Sequence, residues 1–246
     1  MIGLKRMKYS YRDTEIIPIV GDEVLVAACD SCGGIGSKEG DVVKAPPFIA
    51  GKYTARVCLM EVLSVNALPI GMSVNICNEP HPTGDEILNG INDELSEVGL
   101  NIPITISTEK NMKTSMTALG VTVFGRVNKH KLLLGKVSTG DLVYTLGLPL
   151  LGNEVLNNPD KITRANTIVE LLNNRDIHEI IPVGSTGVNG ELNKMLNELG
   201  LKLSLEQDID YNLEKSGGPS TITIIVASKP IDPIQNLKLT KIGTLK

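Results

Sequence analysis

Apolar residues recur along this chain in two rhythms, a period of two that predicts strands and a period near 3.6 that predicts helices. Glu15–Val20 predicts an edge strand, because Pro18 cannot donate to a ladder. After the Gly21-Asp22 turn, Val24–Asp30 is a run of small and β-branched residues that suits a buried strand. Phe48–Val65, opened by Pro46-Pro47, predicts a helix apolar on nearly every side and therefore buried, with Arg56 and Glu61 as conspicuous charges within it. Leu68–Cys77 predicts the next strand. Thr83-Gly-Asp-Glu86 reads as a capping box opening a helix to Val98, which Gly99 ends. Pro103–Ile106 and Ala118–Gly125 predict two more strands.

The polar, lysine-bearing stretch Val127–Ser138 separates this half from a second, and the domains are expected at 1–127 and 128–246. Gly140–Tyr144 predicts a turn and strand. Pro159, with Ile162, Ala165, Val169 and Leu172 at helical spacing, predicts a helix. Glu179–Val183 predicts a strand, and Gly184–Gly187 leads into a helix that Gly200 stops. Leu201–Leu205 and Thr221–Ala227 alternate as strands, the latter after the sharp turn Gly217–Ser220. The pattern as a whole is that of a mixed α/β protein.

Composition narrows the reading. With 246 residues and a net charge of −4, the chain can bury a real core and offers no polyanion-binding surface; it has no tryptophan on which bases could stack. No apolar run is long enough to cross a bilayer, and Met1–Ser10 lacks the apolar centre of a secretion signal, so a cytoplasmic location without nucleic-acid or membrane partners is expected. The four cysteines make no disulfide framework; Cys29 and Cys32 form a CxxC, but it straddles a strand end and has no second pair to complete a zinc site.

The candidate chemistry lies where the strand ending at Asp30 meets Gly33-Gly-Ile-Gly-Ser-Lys38. Glycines there can bring N–H groups close to a ligand, and an acid beside such a loop suits a magnesium-bound polyphosphate; the same glycines can simply turn a corner. Asp22 is a turn former or a second metal ligand. Glu61 is either a ligand or half of an ion pair, with Arg56 or Lys52 as partner, since a charge in a buried helix is costly unless paired. Glu109 follows a strand end, so Asp30, Glu61 and Glu109 have the placement to converge on one cation. Lys38 is a phosphate contact or a solvated loop residue.

These residues together resemble the superfamily of aminoimidazole ribonucleotide synthase, selenophosphate synthetase and thiamine-monophosphate kinase. The likeness rests on Gly21-Asp22 with Ala28-Cys-Asp30 and Gly34–Lys38, on Met60–Pro69, on Ser107-Thr-Glu109 before the Ala118–Gly125 strand, on Gly140-Asp-Leu-Val, and on Gly217–Thr221 with Lys241–Leu245. Within it, Ala28–Ser31 with Gly36–Val43, Tyr53–Glu61, Ile106–Asn111 and Ile181–Gly187 are similar to the α-ribazole kinase type; Glu61 stands where the wider superfamily more often has Asp. The resemblance implies an α/β (α+β type), two-domain aminoimidazole-ribonucleotide-synthase-like fold, whose N-terminal four-stranded half-barrel binds ATP and pairs in a homodimer. It implies ATP and Mg²⁺ as cofactors and a nucleoside, α-ribazole, as the alcohol phosphorylated, with Asp30, Glu61 and Glu109 catalytic. Asp22, Asp30, Glu61 and Glu109 would hold the metal, and Gly34, Gly36, Ser37 and Lys38 would meet phosphate. Thiamine-phosphate kinase or synthase chemistry, or a non-catalytic nucleotide-binding dimer, are the alternatives.

Overall fold

The computed structural model describes residues 9–246, so the start of the polar leader, Met1–Lys8, lies outside the described residues. Two five-stranded sheets organise the chain. The first takes β1 (Thr14–Pro18), β2 (Glu23–Gly33), β5 (Leu68–Ile76), β6 (Ile104–Thr108) and β7 (Ala118–Asn128) in the order β1-β2-β7-β5-β6. Only β5 and β6 run parallel, joined by α2 (Asp85–Val98); the other neighbours are antiparallel. Two short strands, β3 (Ile35–Gly36) and β4 (Val43–Lys44), pair with each other in the glycine segment. β1 is the edge strand that Pro18 predicts, and it makes the sheet five-stranded where four strands were expected.

Alternation along β2 puts Val24, Val26 and Ala28 on the face covered by α1 (Pro47–Ser64) and leaves Leu25, Ala27 and Cys29 on the other. α1 is buried along most of its length because it has neighbours on every side: β2 and β7 beneath it, α2 alongside, and the second sheet beyond. The crossing with α2 is close. A Cβ on Gly51 would sit 2.1 Å from the Ile87 carbonyl oxygen, and one on Gly90 would sit 1.9 Å from that of Phe48. Glycine at both positions lets the backbones meet, at the entropic cost glycine carries in a helix. Arg56 and Glu94 close the same interface as a buried two-pronged ion pair, with Nε–Oε1 at 2.9 Å and an Nη2–Oε2 contact of 2.6 Å.

The second sheet is drawn from residues 142–245, in the order β10 (Leu203–Leu205), β12 (Leu239–Leu245), β8 (Leu142–Gly147), β11 (Ile222–Ala227), β9 (Ile177–Pro182). Its central strands are mostly apolar, and every residue of β11, Thr223 included, is buried. The helices are α3 (Asn153–Asn157), α4 (Ala165–Leu171) and α5 (Gly187–Leu199). Gly99 and Gly200 end α2 and α5 in the left-handed conformation, as their sequences predict.

Three expectations change. The capping box does not form: Thr83 gives its hydroxyl to Glu79 instead of the helix, so α2 starts without a side-chain cap. β2 continues past Asp30 to Gly33 because β7 supplies ladder partners for all of it, through Gly33↔Ala118. The helix expected from Pro159 begins only at Ala165, after the separate short helix α3.

Candidate functional site

A cleft of about 330 Å³ opens between the two halves. One wall is the end of β2 (Asp30 to Gly33), Ile35, Val43, and the first turns of α1 with Ile49, Ala50, Tyr53 and Thr54. The other wall comes from the second half, with Leu151, Val155 and Leu156 around α3, and Ser185, Ser216 and Pro219 on loops. Its volume falls at the small end of ligand pockets, roughly 300–1,000 Å³.

Asp30 is the charged group in this cleft. It lies on the α1 face of β2, where burial raises its proton affinity; the Ser31 backbone N–H works against that and the charge of Asp13 adds to it. Cys32 and Cys58 lie close by, and burial pushes both thiols up. Cys29 and Cys32 project to opposite faces of β2, so the CxxC cannot close on one ion.

Glu61 sits farther along α1, buried, with Oε2 3.5 Å from Arg12 Nη2 and accepting no hydrogen bond. Burial raises its pKa to about 8 against the pull of Arg12, with Asp13, Glu191 and Asp30 adding to the rise. Its partner is therefore neither Arg56, committed to Glu94, nor Lys52, committed to Asp93 and Glu97. Arg12 also holds Glu179 at 3.3 Å and donates to the Ile180 carbonyl at 2.5 Å and to Ser64. Glu179 in turn accepts from Tyr11 and from the Gly135 N–H, and burial raises its pKa to about 7. The segment Tyr9–Asp13 thus ties α1 to the edge of the second sheet.

The other acids expected at the metal are elsewhere. Asp22 precedes β2, eight residues from Asp30, which along a strand is about 26 Å; it pairs with Lys129 and His130, and the Lys129 hydrogen bond lowers its pKa. Glu109 does follow β6, but its Oε1 accepts the N–H groups of Asn111 at 2.6 Å and Met112 at 3.1 Å, which hold its pKa down, and it does not line the cleft. Asp22, Asp30, Glu61 and Glu109 are therefore not gathered into one cage, and among the described residues no three potential ligands assemble for a metal ion.

The glycine segment is largely satisfied from within. Gly34 (φ +74°) donates its N–H to the Thr117 carbonyl at 2.9 Å and Lys38 its N–H to Asp41 at 2.8 Å. A Cβ on Gly36 would stand 2.0 Å from Thr117 Oγ1, so this glycine is needed for packing. Ser37 lies in the same bend. Lys38 is not solvated: its ammonium bridges both oxygens of Glu79 at 2.9 and 2.8 Å. The residues that sequence reasoning missed are Asp41, Glu79 and Arg12. Asp41 is the keystone of the loop, accepting from Thr117 N–H at 2.7 Å and Thr117 Oγ1 at 2.8 Å. Its position immediately before the β-branched pair Val42-Val43 carried no signal for that role.

No protein-family model and no curated protein matches this chain. Solved structures do. It is similar to PurL of Thermotoga maritima complexed with ATP (TM-score 0.62, 15% identity, 96% of this chain and 38% of that one). It is similar to AaThiL complexed with AMPPCP and TMP (0.65, 14%, 98% and 86%) and to thiamine-monophosphate kinase from Stenotrophomonas maltophilia K279a (0.64, 15%, 98% and 88%). The chain thus spans well under half of the PurL chain and most of the two kinase-sized ones. At these identities the likeness is one of architecture, and with the two sheets described above it gives this chain the aminoimidazole-ribonucleotide-synthase-like fold.

Proposed function

We propose that this protein is an ATP-dependent phosphotransferase acting on the hydroxyl of a small nucleoside, and that α-ribazole is that nucleoside. The observation that carries the reading is Asp30: one carboxylate of raised proton affinity at the end of a cleft whose walls are mostly apolar. A base of that kind suits removal of an alcohol proton near neutral pH. Ile49, Tyr53, Val155 and Leu156 suit the flat apolar base of a benzimidazole nucleoside.

In this reading the acceptor hydroxyl gives its proton to Asp30 as its oxygen bonds to the γ-phosphorus. The bond from that phosphorus to the bridging oxygen breaks, and ADP leaves. Phosphoryl transfer asks mainly for positioning and charge neutralisation. Magnesium enters as the counter-ion of ATP, which can supply ligands of its own through phosphate and water. Lys38 reaches phosphate only by leaving Glu79. Residues 1–127 would bind ATP and 128–246 would complete the acceptor wall.

A homodimer belongs to the same proposal. Among the described residues the helices that pack on the first sheet lie on the α1 face, and Ile17, Leu68 and Ile70 in the sheet and Ile19 and Val20 just past β1 are exposed. Such a face suits a second copy.

The experiment is incubation with ATP, Mg²⁺ and α-ribazole. The expected products are ADP and α-ribazole 5′-phosphate, identified by mass. No ADP above the no-acceptor blank, with thiamine and thiamine monophosphate also tried, removes the phosphotransferase reading; ADP with either thiamine compound alone removes α-ribazole.

A further inference from the structure

We propose that Leu151–Lys161, the segment that carries α3, is a flap that closes the cleft and swings aside for a ligand to enter. The inference rests on the cleft being the ligand site, as in the reading above, and adds how that site opens; it holds whichever alcohol is phosphorylated. Leu151, Gly152, Val155 and Leu156 of the segment line the cleft. A Cβ on Gly152 would lie 3.8 Å from Val43 Cγ2, so the segment reaches across to the glycine segment of the first half. It is cover as well as wall.

Both ends of the segment are fixed at one residue. Thr221 Oγ1 accepts the Leu150 N–H at 3.0 Å, and the Thr221 carbonyl accepts the Thr163 N–H at 3.0 Å. Thr221 is fully buried just before β11, and Ile162 and Thr163 are buried too. Between these anchors, among the described residues, the backbone-to-backbone bonds close within the segment. Glu154 donates to Leu151, Val155 to Gly152, Asn158 to Val155 and Lys161 to Asn158. A loop bonded to itself and pinned at two neighbouring points can move as a body without breaking the sheet.

Two contacts hold the flap shut. Val155 is the one fully buried residue of Leu151–Lys161, whereas Leu151 is 55% exposed. Glu154 is the latch: its Oε2 lies 2.7 Å from the Nζ of Lys215, which precedes Ser216 at the edge of the cleft. The loop bearing Lys215 is itself pinned to α5. Asn189 donates its N–H to the Leu213 carbonyl at 3.0 Å, and a Cβ on Gly187 would stand 2.7 Å from the same oxygen. Arg164 Nη2 also donates to the Pro159 carbonyl at 2.9 Å, but from the anchored end. A half-exposed ion pair is weak enough to break and re-form as ligands come and go. In the phosphotransferase reading, closure keeps water from the γ-phosphorus, so that the phosphoryl group goes to the alcohol.

The test uses a native reporter. Cys32 lines the cleft half-buried, while Cys58 is buried and Cys29 and Cys77 are exposed. In full-length protein carrying Cys29→Ser and Cys77→Ser, the rate at which N-ethylmaleimide labels Cys32 is followed by mass, at one pH and without nucleotide or acceptor. Lys215→Met and Glu154→Gln are each expected to raise that rate about two- to fivefold. Together they should do no more than either alone, and Lys215→Arg should hold the starting rate. Amide exchange of Leu151–Lys161 should quicken in step, with β11 unmoved. Labelling as fast as in urea, a rate that the latch variants leave unmoved, or no labelling in any of them overturns the flap. Faster exchange of the segment with no change at Cys32 overturns it as a gate. Release of ADP from ATP and acceptor without these changes sinks the flap alone. The changes without ADP release sink phosphotransfer and leave the flap in place.

Discussion

The acids at the loop end of the first sheet and the acids beneath the cleft are the same chemical groups held in opposite states. At the loop end, partial burial works to raise Glu79, but hydrogen bonds from Lys38 and Thr83 outweigh it and hold the carboxyl down at about 2. Asp41 is lowered in the same way, by Thr117 against burial. Beneath the cleft, burial wins: Glu61 rises to about 8 and Glu179 to about 7 although Arg12 touches both. The difference is in how burial and donors balance at each carboxylate. Asp41 accepts three hydrogen bonds from Lys38 and Thr117, and they outweigh its burial. Glu179 also accepts three, from Tyr11, Arg12 and the Gly135 N–H, yet burial of its fully enclosed side chain outweighs them, and Glu61 Oε2 accepts none. Where burial wins, a carboxyl has proton affinity to spare for chemistry.

The severest way to break the contrast is Arg12→Ala. It strips the buried acids of the guanidinium they share, while Ser64 keeps its bond to the Glu61 carbonyl, so a loss of about 3–5 kcal/mol is expected in urea unfolding above about pH 8, where both carboxyls are ionised. A loss under about 1 kcal/mol would mean that Glu61 and Glu179 are both neutral before the change.

Asp30→Asn keeps the shape of the cleft and removes its base. ADP formation with the acceptor should fall by about 10²–10⁴-fold while the unfolding midpoint holds or rises, because a partly buried carboxylate is gone. Undiminished turnover would move the base elsewhere.

The third test is the dependence of stability on pH. Glu61 has a folded pKa raised from the ordinary 4.5 to about 8, so its contribution is complete below about pH 4.5 and is lost as pH rises through about 8. Glu179 acts in the same direction with its value near 7. Glu61→Gln should therefore lessen the fall in stability between about pH 5 and pH 8, by about 2–4 kcal/mol. Parallel wild-type and variant curves would show that Glu61 titrates normally.

The smallest effect belongs to the rim. Glu79 is depressed, so its contribution is present above about pH 4.5 and lost as pH falls towards 2. Lys38→Met should flatten that acid limb and cost at neutral pH only about 0–1 kcal/mol, since the Glu79 side chain is one-third exposed. A large neutral-pH loss would make Lys38 a structural residue of the first rank.

Periodicity carried much of the architecture. Val24, Val26 and Ala28 alternate and pack under α1; Ile87, Ile91 and Leu95 recur at helical spacing and are buried. Pro18, Gly99 and Gly200 acted locally and could be read locally. The capping box misled because Glu79, four residues before Thr83, outcompeted the helix for its hydroxyl, and the motif rule looks only downstream of the cap. The candidate site was legible at Asp30 and the glycine segment, but as places rather than as roles. Whether Lys38 faces solvent, phosphate or Glu79 depends on where the chain returns 41 residues later.

Local sequence determined the strands, the buried helix and the stops, because hydrophobic period, proline and glycine act over a few residues. Tertiary structure alone decided which acids are partnered. Arg12 reaches Glu61 and Glu179 across both halves of the molecule, Arg56 finds Glu94 on another helix, and Asp22 ends up at the far end of β2 from Asp30. Charge pairing and burial depend on distance in space, and in space these groups have neighbours that their place along the chain does not reveal.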